Sequence, residues 1–167
     1  AGASIYDYGN LKGNSVSGFD PKGNSVTTIG NTEFYDNDYN ILEAFGEYKF
    51  TALSMPMSFY GSYVNNLAVS TEDTGWIIGT KLNKAKAVGT WQLSYDYRDI
   101  EADAVVGGLN STDFVGGGTN AKGHKFSGKY QLVENTQLGL TYFMAEKNAN
   151  STQDDFDSLF ADLIFKF

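Results

Sequence analysis

The stretch Thr90-Trp91-Gln92-Leu93-Ser94-Tyr95-Asp96-Tyr97-Arg98 decides the fold. Trp91, Leu93, Tyr95 and Tyr97 share one parity; Thr90, Gln92, Ser94, Asp96 and Arg98 share the other. Successive side chains of a strand point to opposite faces, so this is a strand with one apolar and one polar side. The closing residues repeat it: Leu159, Ala161, Leu163, Phe165 and Phe167 alternate with Ser158, Asp162 and Lys166.

The same alternation extends outward along the chain. Residues 40–50 set Leu42, Ala44, Tyr48 and Phe50 against Glu43, Glu47 and Lys49. Residues 125–132 set Phe126, Tyr130 and Leu132 against Lys125, Ser127, Lys129 and Gln131, and residues 137–144 set Leu138, Leu140, Tyr142 and Met144 against Gln137, Gly139 and Thr141. Residues 57–64 and 74–83 alternate less cleanly, the second with Trp76, Ile78 and Leu82 against Gly75, Gly79 and Lys81. Residues 2–10 are weakest, since Ile5, Tyr6 and Tyr8 divide between the faces. This predicts eight strands in a single domain spanning residues 1–167.

The connections alternate between long (11–38, 65–73, 100–121, 145–157) and short (51–56, 84–87, 133–136). That is the loop pattern of an antiparallel up-and-down transmembrane β-barrel, with long extracellular loops and short periplasmic turns. An even strand number then puts both termini on the periplasmic side of a bacterial outer membrane. The four long loops carry three Lys and thirteen acids, a net of 3 − 13 = −10, and the remainder carries nine basic and seven acidic residues, +2. Acidity is thus expected at one end of the barrel.

Composition agrees. Aromatic residues make up 15% of the chain and mean hydropathy is −0.31, a pairing foreign to a soluble core built on Leu, Ile and Val. No apolar run approaches the roughly 18 residues of a membrane-spanning helix, but a spanning strand needs only about 9–11, every second one apolar. The net charge of −8 argues against nucleic acid. With no Cys there is no disulfide, thiol nucleophile or cysteine metal site. The chain opens at Ala1 without Met or a charged-then-apolar leader, which reads as a mature form or an expressed segment.

In lipid every backbone polar group must be paired internally, so strands span only by closing into a barrel. The apolar face then meets lipid, with Trp76, Trp91, Tyr95, Tyr97, Tyr130 and Tyr142 as an aromatic belt. The polar face lines the lumen with Glu43, Glu47, Lys81, Asp96, Arg98, Lys125, Lys129 and Asp162, joined by Lys49 and Lys166. In a closed ring of eight strands these mixed charges would fill the interior as an ion-pair plug. The closing Leu159, Ala161, Leu163, Phe165 and Phe167 resemble the signal read by the barrel assembly machinery.

Other candidates read plainly. His124, the lone histidine, has the parity of Phe126 and Tyr130 and reads as an interfacial aromatic rather than a metal ligand. A single His also leaves no nucleophile–base pair, so no enzyme is expected. The acidic runs Asp36-Asn37-Asp38 and Asp154-Asp155-Phe156-Asp157 lack the spacing of a calcium loop and read as solvated loops. Gly116-Gly117-Gly118 reads as a flexible loop tip. No metal or cofactor is expected.

Several stretches resemble the "putative porin" family of Gram-negative proteobacteria: Tyr6-Asp7-Tyr8-Gly9-Asn10-Leu11-Lys12-Gly13, Glu43-Ala44-Phe45-Gly46-Glu47-Tyr48, Gly61-Ser62-Tyr63-Val64-Asn65-Asn66, Asp73-Thr74-Gly75-Trp76 and Gly123-His124-Lys125. The run from Tyr95 to Ala104 and the closing Leu163-Ile164-Phe165-Lys166-Phe167 extend the likeness nearly end to end. Family members are about twice this length, and the chain is similar to their C-terminal half. The resemblance implies passive diffusion of small hydrophilic solutes or ions through an open lumen. It also implies that the chain is a fragment, a shortened relative closing on eight strands, or one that pairs with a second chain to complete a wider barrel. The other functional class is a closed eight-stranded barrel with a structural, adhesive or scaffold role through its acidic loops. Expected partners are outer-membrane lipid and lipopolysaccharide, the assembly machinery during insertion, and a second chain or oligomer.

Overall fold

The computed structural model describes residues 1–16, 21–149 and 154–166. Ten strands follow in chain order: β1 (Gly2–Tyr8), β2 (Val26–Ile29), β3 (Thr32–Tyr35), β4 (Tyr39–Ala52), β5 (Met55–Asn66), β6 (Thr74–Leu82), β7 (Trp91–Ile100), β8 (Ala121–Val133), β9 (Thr136–Lys147) and β10 (Asp154–Phe165). Eight of them make one antiparallel sheet in the order β1-β4-β5-β6-β7-β8-β9-β10. The chain contains no helix long and apolar enough to cross a membrane among the described residues, which says nothing about crossing by strands.

Two of the three expected short connections are tight turns, whereas the third, between β6 and β7, runs over residues 83–90 and is no shorter than the expected long connection between β5 and β6, residues 67–73. β4 and β5 meet through Leu53 and Ser54, both at positive φ, the conformation a two-residue hairpin requires. Glu134 and Asn135 join β8 to β9. The long connections gather at the other end of the sheet.

Register settles the two faces. Asp96 stands opposite Lys125 and Gly79, Glu47 opposite Tyr60, Lys129 opposite Gln92, and Gly139 opposite Asp162. Directly paired residues share a face, so the charged strand residues lie together on a polar face. The opposite face is apolar and bare: Ile78 is 60% exposed, Phe59 54% and Leu159 69%. A water-facing sheet would bury such a surface, since contiguous apolar patches of this extent are uncommon on soluble monomers.

Two expectations need correction. First, the sheet is not a closed eight-stranded barrel. Among the described residues β1 pairs with β4 alone and β10 with β9 alone, and no contact joins β1 to β10. Their lengths, seven residues against twelve, are also poorly matched for a shared ladder. Second, the 11–38 connection is structured. β2 and β3 form a separate hairpin turning at Gly30, tied back through Val16 N–H to the Glu33 carbonyl at 2.9 Å. Four-residue strands give too short an alternation to stand out in sequence.

Apolar packing lies on the polar face, at its long-loop end. Val16, Tyr35, Tyr39, Ile41 and Val106 form one cluster; Phe114, Val115, Ala121, Phe143 and Ala145 form another. Val106, Phe114 and Val115 belong to the segment between β7 and β8. That segment therefore folds onto the sheet rather than out into solvent.

Candidate functional site

The site grows from the middle of the polar face. On β7, Asp96 and Arg98 are two apart in sequence and so share this face, and the Arg98 Nε–H donates to Asp96 Oδ1 at 3.0 Å. Asp96 is 4% exposed and takes a second bond from the Tyr60 hydroxyl at 3.0 Å. Tyr60 lies two strands away on β5. Its ring reaches Asp96 because Gly79, on the intervening β6, has no side chain; a Cβ there would collide with the tyrosine ring. Gly79→Val is therefore expected to expel Tyr60 and leave Asp96 with one partner fewer. The cost should be about 2–3 kcal/mol, measurable as a lower urea midpoint of the folded protein in micelles.

Toward the short-turn end, Glu47 gathers Lys49 at 2.9 Å, Lys81 at 3.3 Å and the Ser58 hydroxyl at 2.9 Å. Lys81 also sits 4.6 Å from the centre of the Tyr60 ring, and Lys125 lies 5.5 Å from that of Phe143. Toward the long-loop end, Glu43 accepts the Tyr6 and Ser62 hydroxyls, each at 3.0 Å. Lys129 and Asp162 share the face but lie exposed toward the β10 side. The eight expected lumen residues thus occupy one surface, while Glu47, Lys81, Asp96 and Arg98 are drawn into contact networks. The buried Gln137 closes the short-turn end, donating to the Ala85 carbonyl at 2.9 Å and to Gln131 Oε1 at 3.1 Å.

The segment 101–120 covers the upper part of this face. Its anchor is Asp103, 3% exposed. That carboxylate accepts the Tyr39 hydroxyl at 2.7 Å, Asn37 Nδ2 at 2.9 Å and the Ser25 N–H at 3.1 Å. Asn24 clamps the segment from the hairpin side, donating to the carbonyls of Ala102 (2.7 Å) and Val105 (2.8 Å) and accepting the Gly107 N–H at 2.7 Å. Phe114 lies 4.9 Å under the Arg98 guanidinium, so the charged wall and the infolded segment touch directly. The glycine triplet is correspondingly not a flexible tip. Gly118 is buried at φ +104, and a Cβ there would collide with the Lys22 carbonyl.

Asp103, Asn24, Tyr60 and Phe114 were not singled out by sequence. The signal was present in Ala104-Val105-Val106 and Phe114-Val115, short apolar runs inside a connection rich in Gly, Asn and Asp.

On the apolar face, Trp76 and Tyr97 pack at 5.3 Å between ring centres, and His124 lies among Tyr95, Tyr97 and Phe126. The Tyr95 hydroxyl bonds His124 Nδ1 at 2.9 Å. Among the described residues no group of three metal-ligating side chains forms. Trp91, Tyr130 and Tyr142 are exposed on the same face. Of the closing strand, Leu159, Ala161, Leu163 and Phe165 are exposed there too, and Phe167 lies outside the described residues.

An antiparallel meander with a charged face, a bare apolar face and an infolded long connection defines a porin-like sheet. The chain belongs to the "putative porin" family, which it matches over residues 36–167, from just before β4 to the last residue. Comparison with curated proteins and with solved structures found no match. The family points to an outer-membrane, channel-like, non-enzymatic protein.

Proposed function

We propose that the polar face lines the lumen of an outer-membrane barrel through which small hydrophilic solutes or ions diffuse passively. The observation that carries this reading is the separation of the strands' charges from their apolar residues. Glu43, Glu47, Lys81, Asp96, Arg98, Lys125, Lys129 and Asp162 share one face, while the other exposes Ile78, Phe59 and Leu159. Lipid accepts the second surface and water the first. The sheet with its two open edges is one sector of a barrel wider than eight strands, and segment 101–120 narrows its lumen. Long loops face outward, termini face the periplasm, and the closing strand is what the assembly machinery reads. The six belt aromatics sit at the headgroup level beside lipid and lipopolysaccharide.

Planar-bilayer recording of the assembled protein tests the reading. Discrete conductance steps are expected; silence would shift the assignment to a structural or adhesive barrel acting through its loops. Because the connections at the long-loop end, residues 9–38, 67–73, 101–120 and 148–153, carry two Lys and nine acids, a net of 2 − 9 = −7, K⁺ should pass more readily than Cl⁻, and the preference should fade as salt screens the loops. A reversal potential of the opposite sign would remove that selectivity.

A further inference from the structure

Between segment 101–120 and the polar face lies a cavity of about 330 Å³, at the lower end of the volumes that hold small ligands. Ile41, Val64 and Ile77 form its floor, and Val105, Val106 and Leu109 its cover. Two charged groups also line it, Arg98 and Glu43. They differ in how far the protein already satisfies them. Arg98 is committed to Asp96 and stacks over Phe114. Among the described residues Glu43 receives two neutral side-chain donors, the hydroxyls of Tyr6 and Ser62. Among the described residues no cation lies within ion-pair distance of it, whereas Glu47 holds two lysines.

Two hydroxyls fill about half of the four lone-pair sites of a carboxylate. A half-buried carboxylate lacking a counter-charge favours a cation that brings its own N–H donors. Tyr6 and Tyr8 line the same cavity, and aromatic faces beside a carboxylate suit an ammonium group.

We propose that this cavity binds a small aliphatic amine, its ammonium on Glu43 and its hydrocarbon body against Ile41, Val64 and Leu109. The assignment rests on the lumen reading, which gives solutes access from water, and it names a solute class for that lumen. The protein in micelles is titrated calorimetrically with 3-methylbutylamine, cationic at neutral pH, and with 3-methylbutanol, its neutral analogue of the same shape. The amine should bind about tenfold tighter than the alcohol, and Glu43→Gln should abolish that preference, since a charge-assisted bond of this kind is worth about one order of magnitude. Leu109→Lys alters an exposed cover position and leaves the strands intact. It places an ammonium of its own in the cavity and should weaken amine binding by about tenfold as well. Equal affinity for amine and alcohol, or an amine preference that survives both substitutions, overturns the proposal. Amine binding by a protein that does not conduct keeps this assignment while removing the channel reading. A conducting protein whose current and calorimetry both ignore the amine removes this assignment alone.

Discussion

Asp103→Ala is expected to detach segment 101–120 from the polar face and to cost about 3–5 kcal/mol. The carboxylate is 3% exposed and receives the Tyr39 hydroxyl, Asn37 Nδ2 and the Ser25 N–H. Its removal strands three donors at once, and each buried donor without a partner costs about 1–3 kcal/mol. Partial wetting of the gap holds the sum below the maximum. The three donors come from three places, β4, the connection before it and the residue preceding β2, so their loss loosens hairpin and segment together. Asp103→Asn retains an acceptor oxygen and should cost less than half as much. Chymotrypsin reads the effect directly: Phe114, 2% exposed in the native protein, should become a cleavage site in the Ala variant. In bilayers the same variant should show larger or noisier unit currents. A segment as protease-resistant as wild type would show that Asp103 is not the anchor.

The second large effect is a pair of substitutions one residue apart. Leu140 sits 48% exposed on the apolar face of β9, and Thr141 lies on the polar face, its hydroxyl 3.1 Å from that of Ser127. An Arg on the lipid-facing surface of a barrel strand costs roughly 2–4 kcal/mol near the bilayer midplane. Leu140→Arg should therefore lower the free energy of folding into vesicles, read from urea titration, by an amount in that range, while Thr141→Arg should change it by less than about 1 kcal/mol. The sign is informative. In water, replacing an exposed Leu by Arg is neutral or improves solubility. A Leu140→Arg protein that folds into vesicles as well as wild type would therefore remove lipid from the apolar face.

The faces were legible because parity is local. Residues 90–98 fix which side of β7 carries Asp96 and Arg98, and register transmits that choice to every neighbour. The Asp96–Arg98 pair could be read for the same reason, being two residues apart on one strand. The Tyr60–Asp96 bond could not, since it spans β6 and depends on the missing side chain of Gly79. The infolded segment escaped periodicity altogether. Its clamps join residues far apart in sequence, such as Asn24 with Val105 and Asp103 with Asn37. Asp103 itself was counted among the acids of solvated loops, where composition alone puts it. Closure is a different kind of property, set by how many strands are present and how they are staggered rather than by any one residue.

The free edges that β1 and β10 present among the described residues have a geometric consequence for the lumen proposed above. With strands about 4.8 Å apart and tilted about 40°, the backbone radius of a ring grows in proportion to strand number, from roughly 8 Å at eight strands to roughly 16 Å at sixteen. The smaller ring is filled once the polar-face side chains and segment 101–120 take their space; the larger keeps a continuous column of water past them. In the barrel proposed above, a strand pairing along the free edge of Asp154–Phe165 would do more than satisfy the alternate backbone groups that point away from β9. By adding to the circumference it would set the cross-section of the proposed lumen, and with it the largest molecule to pass.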